Sequence, residues 1–490
     1  MTAPRPTLGA PPGTAPGGRD GARAAGRVAL LPAERRLLLD LIELRTAGPL
    51  ETGAEGPRPQ LWEAQRAFAE AAAAIGFGTV HHAAPDPRVL DREGVPETVR
   101  EAAATMPDFL ACQPSMVLRL GPALPTERTV MFNVHLDTVA GWEPPAYRDG
   151  RFHGRGAIDA KGPAVALLAG LRQAVATVPG LGETTGVLVQ LVSGEEGGAM
   201  GVFGTRPLVE AGHTGRINIF CEPTRSRLVP RSTAAATAQI SVAGTDSIDD
   251  MPGGGHNATV LLGFLAQHLA ERLPGRVDGG RVCVAGLHTG DLHNKVYGSG
   301  RLLLNLAYGT TAAGSALQAE LERELHAGLA AFTERFADQA DFARTATEAD
   351  RVTALRWLKR GLPALDDQDP WAERLLGRTA GLPYAPPTDP ACTCDAIWMH
   401  GVPGAYTAVL GPGDLDANNA HADGEYADIE DLEGFATSVA ALLRHFTREA
   451  AGHAERHSGP YTAHDAGTRG AQPTEPHPTP RLAQSMDGSS

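Results

Sequence analysis

Long apolar runs are missing from this 490-residue sequence, and none reaches the length of a membrane-spanning helix. Cysteine is scarce. Cys112, Cys221, Cys283, Cys392 and Cys394 are scattered and odd in number, which suits reduced cytosolic thiols and not a disulfide framework. The "CTC" pair, Cys392 and Cys394, is only a weak metal-site pattern. Positive charge is also in deficit. The formal net charge is −14, which argues against nucleic acid or an anionic membrane as a main partner. The opening "MTAPRPTLGAPPGTAPGGRDGARAAGR" has no apolar segment of the kind a secretory signal needs. A cytoplasmic location is expected, and no internal repeat is evident.

What is present is enough apolar material for large cores, at 42% of residues, in a chain long enough for two folded domains. Segments 1–27 and 448–490 are poor in apolar residues and are expected to be disordered tails. Between them, strand-like runs such as "TVMFNVHLDTV", "TGVLVQLVSGEE" and "RINIFCEPT" alternate with helical spacings such as "GPAVALLAGLRQAVATV". This alternation predicts an α/β fold, a mixed and mostly parallel sheet with helices on both faces, over 28–235 and 355–447. Residues 236–354 read as strand–helix–strand–strand–helix. An inserted α+β domain with a four-stranded antiparallel sheet is expected there.

Within "TVMFNVHLDTV" the period of a strand puts His135 and Asp137 on one face. Two polar groups in a buried run need partners, either a metal ion or a structural hydrogen bond. His135, Glu195, Glu196 and Glu222 lie at or just beyond strand ends, where functional groups gather in such sheets. If the ends converge, the available ligands are His135, Asp159, Glu196, Glu222 and, in "NNAHADGEY", His421. Imidazole with carboxylate suits zinc, cobalt or manganese. A bridging carboxylate would make a two-metal hydrolytic centre. Adjacent glutamates in "SGEEGG" offer one group to bind and one to act as base. Asp137 is expected to hold the His135 ring by its second nitrogen.

The pieces "HLDTV", "GRGAIDAKG", "SGEEGG", "CEPT", "CDA" and "AHADGEY" together resemble a family of dinuclear zinc peptidases and deacylases. That family includes acetylornithine deacetylase, succinyl-diaminopimelate desuccinylase and glutamate carboxypeptidase. The resemblance spans about residues 30–446 and implies two zinc ions. His135 and Glu222 would hold one, Glu196 and His421 the other, with Asp159 bridging. Glu195 would be the general base, Asp137 would orient His135, and the Asp159–Ala160 bond would be cis. Glu222, not an aspartate, is the form seen in carboxypeptidase and deacylase branches. The inserted domain resembles the family's lid and dimerisation module, which implies a homodimer acting on a small amide or short peptide.

Two family positions are changed. In "GTDSIDDMPGGGHNA" the lid histidine position falls on Ile248, and His256 is eight residues on. Losing an oxyanion donor of this kind typically costs about 10²–10³ in rate. Asn294, a substrate-binding position, is retained. The arginine that clamps a substrate carboxylate is replaced by Ala307, and Arg301, six residues back on the strand, is about 20 Å away. His293 and Lys295 are stand-in candidates for the clamp, while Asp249 and Asp250 suggest a cationic or hydroxylated substrate. The expected activity is amide hydrolysis, as an N-acyl amino acid deacylase or carboxypeptidase-like enzyme. The alternatives are a metal-binding pseudoenzyme, or the same centre used for non-hydrolytic amide chemistry.

Overall fold

Strands that are apolar on successive residues must be covered on both faces, and the central strands have this character. The protein is described by a computed structural model for residues 26–457, with side chains up to residue 451. Among the described residues, ten strands build the two larger sheets. They are β1 (Phe77–Ala83), β2 (Ser115–Leu120), β3 (Thr129–His135), β4 (Gly186–Val192), β5 (Ile217–Phe220), β6 (Ala234–Ala243), β7 (Gly280–His288), β8 (Ser299–Tyr308), β9 (Thr353–Lys359) and β10 (Tyr406–Val409). The main helices are α1 (Pro32–Glu43), α2 (Leu61–Ala73), α3 (Lys161–Thr177), α4 (Ala258–Arg272), α5 (Thr311–Phe336) and α6 (Ile429–His457).

The first sheet has the order β1-β2-β4-β3-β5-β10. The β4–β3, β3–β5 and β5–β10 pairings are parallel, and those of β1 with β2 and β2 with β4 are antiparallel. Along β3, Val130, Phe132 and Val134 enter one core with Leu41, Phe68, Leu167 and Phe435 of α1, α2, α3 and α6. Met131 points the other way, into a smaller core with Leu208 and Met399. Each such buried side chain contributes about 1.5–3 kcal/mol, so this sheet is a rigid platform.

The second sheet has the order β7-β8-β6-β9 and is antiparallel throughout. Its burial alternates with the strand period. Ala234, Ala236, Ala238, Ile240 and Val242 of β6 are buried against Leu261, Leu265, Leu321 and Leu325 of α4 and α5. The residues between them are more open, and edge strand β7 is mostly exposed.

Two expected boundaries shift. β9 begins at Thr353 and runs to Lys359, so the antiparallel sheet extends past residue 354. α6 continues to His457, ten residues into the expected tail. Its "REAAGHAERH" end is rich in Ala, Glu and Arg, which favour a helix without needing an apolar partner. The rest of the two expected tails, 1–25 and 458–490, lies outside the described residues. No helix among the described residues is long and apolar enough to cross a membrane.

Candidate metal centre

Parallel strands in register end at the same edge of a sheet, and this places the chemistry. His135 pairs with Val192, and Asn133 with Phe220, so β3, β4 and β5 finish side by side. His135 is the last residue of β3, Glu195 and Glu196 follow β4, and Glu222 follows β5. Asp159 lies just before α3 and His421 in the loop after β10. Gly194, at φ 78 and with the Phe203 ring 2.2 Å from where a Cβ would stand, makes the bend that delivers the two glutamates.

The Asp159 carboxylate divides its oxygens between two groups. Its Oδ1 is 2.9 Å from His135 Nε2, which is also 3.7 Å from Glu222 Oε2. Its Oδ2 is 2.8 Å from His421 Nε2, which is 3.1 Å from Glu196 Oε1. Ligand atoms lie within 4.8 Å of one another in each of three sets: His135–Asp159–Glu222, His135–Glu195–Glu196 and Asp159–Glu196–His421. Among the described residues, no lysine or arginine pairs with Asp159, Glu196 or Glu222. Buried carboxylates without cationic partners are costly, and the donor set of imidazoles and carboxylates fits divalent ions.

Burial, with Glu196 beside it, pushes the Glu195 carboxyl well above its ordinary range. Burial likewise raises Glu196 to about 7. Hydrogen bonds to Asp159 and Glu196 lift His421 to about 10. Asp159 moves the other way: despite its burial, its hydrogen bonds to His135 and His421 hold its carboxyl below the ordinary range.

The role expected of Asp137 is corrected in its detail. His135 Nδ1 meets the Asp137 backbone carbonyl at 2.9 Å. The Asp137 carboxylate lies 3.8 Å from that nitrogen. It accepts instead from the Glu196 backbone N–H at 3.0 Å. The chain bends after β3 and brings the peptide oxygen under the ring, which frees the carboxylate to hold the glutamate turn. Asp137 therefore braces both sides of the cluster.

Glu425 was missed by the sequence reading although it stands in the same "AHADGEY" run. It is 1% exposed, accepts from the Ile158 and Asp159 N–H groups at 3.0 and 3.2 Å, and pairs with Arg155 at 2.8 Å. Its signal was an acid four residues after His421. Asp395 of "CDA" is also buried, held by the Thr205 hydroxyl at 2.5 Å, and burial raises it to about 8. The Asp159–Ala160 bond is cis.

The lid positions are elsewhere. Ile248 is 54% exposed and pairs with Lys295 in a two-stranded ribbon. Asn294 is exposed beside that ribbon, and no described hydrogen bond links it to the cluster. Lys295 is engaged by Asp246 at 2.6 Å, so it is not a free clamp. His256 is buried, accepting from the Thr245 N–H and meeting Glu348 at 2.9 Å. Ala307 pairs with Ala235 and Arg281 inside the second sheet. Cys392 and Cys394 join none of the metal-ligand sets among the described residues.

Residues 131–445, more than half of the chain, match the model of peptidase family M20/M25/M40. The chain belongs to this family. Membership makes it a metallopeptidase-class hydrolase, and the M20 fold accounts for both sheets. The aminopeptidase PepT from Bacillus cereus is similar in structure, with a TM-score of 0.60 at 15% identity, covering 84% of this chain and 98% of that one. The M20 family metallo-carboxypeptidase Sso-CP2 from Sulfolobus solfataricus has a TM-score of 0.59 at 12% identity, covering 85% and 100%. The Bacillus subtilis YXEP protein, a dinuclear metal-binding M20 peptidase, has a TM-score of 0.54 at 11% identity, covering 85% and 98%. No curated protein matches the sequence.

Proposed function

We propose that this M20 member hydrolyses an amide bond in a small N-acyl amino acid or short peptide, using two metal ions. The supporting observation is Asp159, whose two oxygens are shared between a His135–Glu222 pair and a His421–Glu196 pair. In this reading His135 and Glu222 would hold one ion and Glu196 and His421 the other, with Asp159 offering an oxygen to each. Zinc is the proposed metal, with cobalt and manganese as alternatives the same donors accept. Such ions supply Lewis acidity and lower the pKa of the attacking water. Glu195 takes the proton from that water and returns it to the leaving nitrogen. Asp137 keeps His135 and the Glu196 turn in place, and Glu425 holds the backbone of Asp159. The second sheet and its helices act as the lid and, through this module, as the homodimer surface. Asn294 contacts substrate from the lid. All five cysteines are free, which supports a cytoplasmic setting.

A second reading has a specific support. Ile248 offers no hydrogen-bond donor where the lid histidine is expected, which favours a metal-binding pseudoenzyme or non-hydrolytic amide chemistry. A screen of N-acyl amino acids and dipeptides, with and without chelator, separates the readings. Turnover that disappears with chelator and in Glu195→Gln is expected. Metal-loaded protein without turnover on any member would reject the hydrolase.

A further inference from the structure

The metal-ligand cluster does not use a cavity of about 210 Å³ between the end of α1 and the segment that follows Asp137. Its walls include Ile42, Arg45, Thr46, Trp142, Arg155 and Lys161. Two of these are arginines and a third is a lysine whose charge burial disfavours, in a chain whose formal net charge is −14. Arg155 is only 6% exposed and Lys161 1%.

The hydrogen-bond inventory of this cavity is one-sided. Arg155 Nη1 donates to Glu425 at 2.8 Å, but its Nε is buried without a partner. Thr46 is 1% exposed, and its hydroxyl also has no partner. Lys161 Nζ donates to the Leu44 carbonyl at 2.9 Å and to no other described group. The Arg45 guanidinium stacks over Trp142 at 4.8 Å and has no described ion pair. Glu425 lies behind Arg155 and is not part of the cavity wall, and Arg155 and two backbone N–H groups already use it. Buried polar atoms in native proteins are nearly always paired. Water can satisfy such groups but offers no negative charge to the arginines. A carboxylate accepts only, and matches the guanidinium edge in shape. Ile42 and the Trp142 ring provide an apolar wall for a short carbon chain.

We propose that this cavity is a binding site for a small organic carboxylate, its oxygens taken by Arg155 Nε–H, Lys161 and the Thr46 hydroxyl. The site is separate from the metal-ligand cluster and does not depend on the hydrolase reading. It lies one ion pair from that cluster, since Arg155 holds Glu425, which holds the backbone of Asp159.

Calorimetric titration of the metal-loaded full chain with sodium propionate tests this. Saturable binding is expected, weakened about fivefold in Thr46→Val and about tenfold in Arg155→Lys, which keeps the charge facing Glu425 but loses the planar fork. Thr46→Val changes volume little, so it reports on the hydroxyl even if Arg155→Lys fails to fold. Binding equally tight in Thr46→Val and wild type places propionate on the metal ions and overturns the proposal. So does the absence of binding. Inorganic phosphate binding more tightly than propionate overturns the organic carboxylate as occupant.

Discussion

The floor of the candidate site and the tip of the lid are built under different constraints. The floor stands at the ends of β3, β4 and β5, where His135 is 1% exposed and Asp159 6%. His135 is held by backbone in register and Asp159 by the buried acid Glu425, while His421 reaches in from a loop. The lid tip is a two-residue ribbon carrying Ile248, with Met251 beyond it 64% exposed. A change at the floor breaks buried pairs, while a change at the tip meets mostly solvent. On the proposed function, the chemistry stands at the sheet edge and the lid tip is free to vary.

The harshest way to break this comparison is Asp159→Ala. It removes the carboxylate shared by both groups, and loss of bound metal together with loss of turnover is expected by elemental analysis and assay. Retained metal content would mean the two groups are independent. Glu195→Gln should lower kcat by about 10²–10⁴-fold while metal content stays at the wild-type value. Activity retained in that variant would take the base role from Glu195.

The lid is sharpened by a gain. Ile248→His restores an oxyanion donor and should raise kcat by up to about 10² on a substrate already turned over. No change in kcat would show that the ribbon does not approach the reacting carbonyl. The smallest effect is on stability against pH. Raised to about 10, His421 contributes stability that is complete below its ordinary value of 6.5 and is lost as pH rises through about 10. Glu196, raised to about 7, acts in the same direction, its ionisation costing stability as pH climbs from 4.5 through about 7. Chelator-treated protein should therefore melt at lower temperature as pH rises between about 5 and 7, above which buried Lys161, lowered to about 7, acts in the opposite direction. A midpoint that climbs over that range contradicts the cluster's electrostatics.

Much of the floor was legible because strand period and strand ends are local properties. The apolar run Thr129–Val134 predicts a buried central strand, and His135 follows as its last residue. The antiparallel sheet was legible for the same reason, through the alternation in β6 and β8. What escaped depended on contacts between distant segments. Which atom of Asp137 serves the His135 ring is decided by the bend after β3 and by the Glu196 amide. Glu425 acquires its role only when the loop before α6 meets the turn before α3. The end of α6 was misjudged because Ala and Glu without apolar neighbours read equally well as a tail.

The most direct test of the account is the metal content of the purified chain, read by elemental analysis against protein concentration. The account predicts two divalent ions per chain, removable by chelator and recovered on adding zinc. A metal-free protein that cannot be loaded, or one that takes a single ion, would contradict the shared role of Asp159.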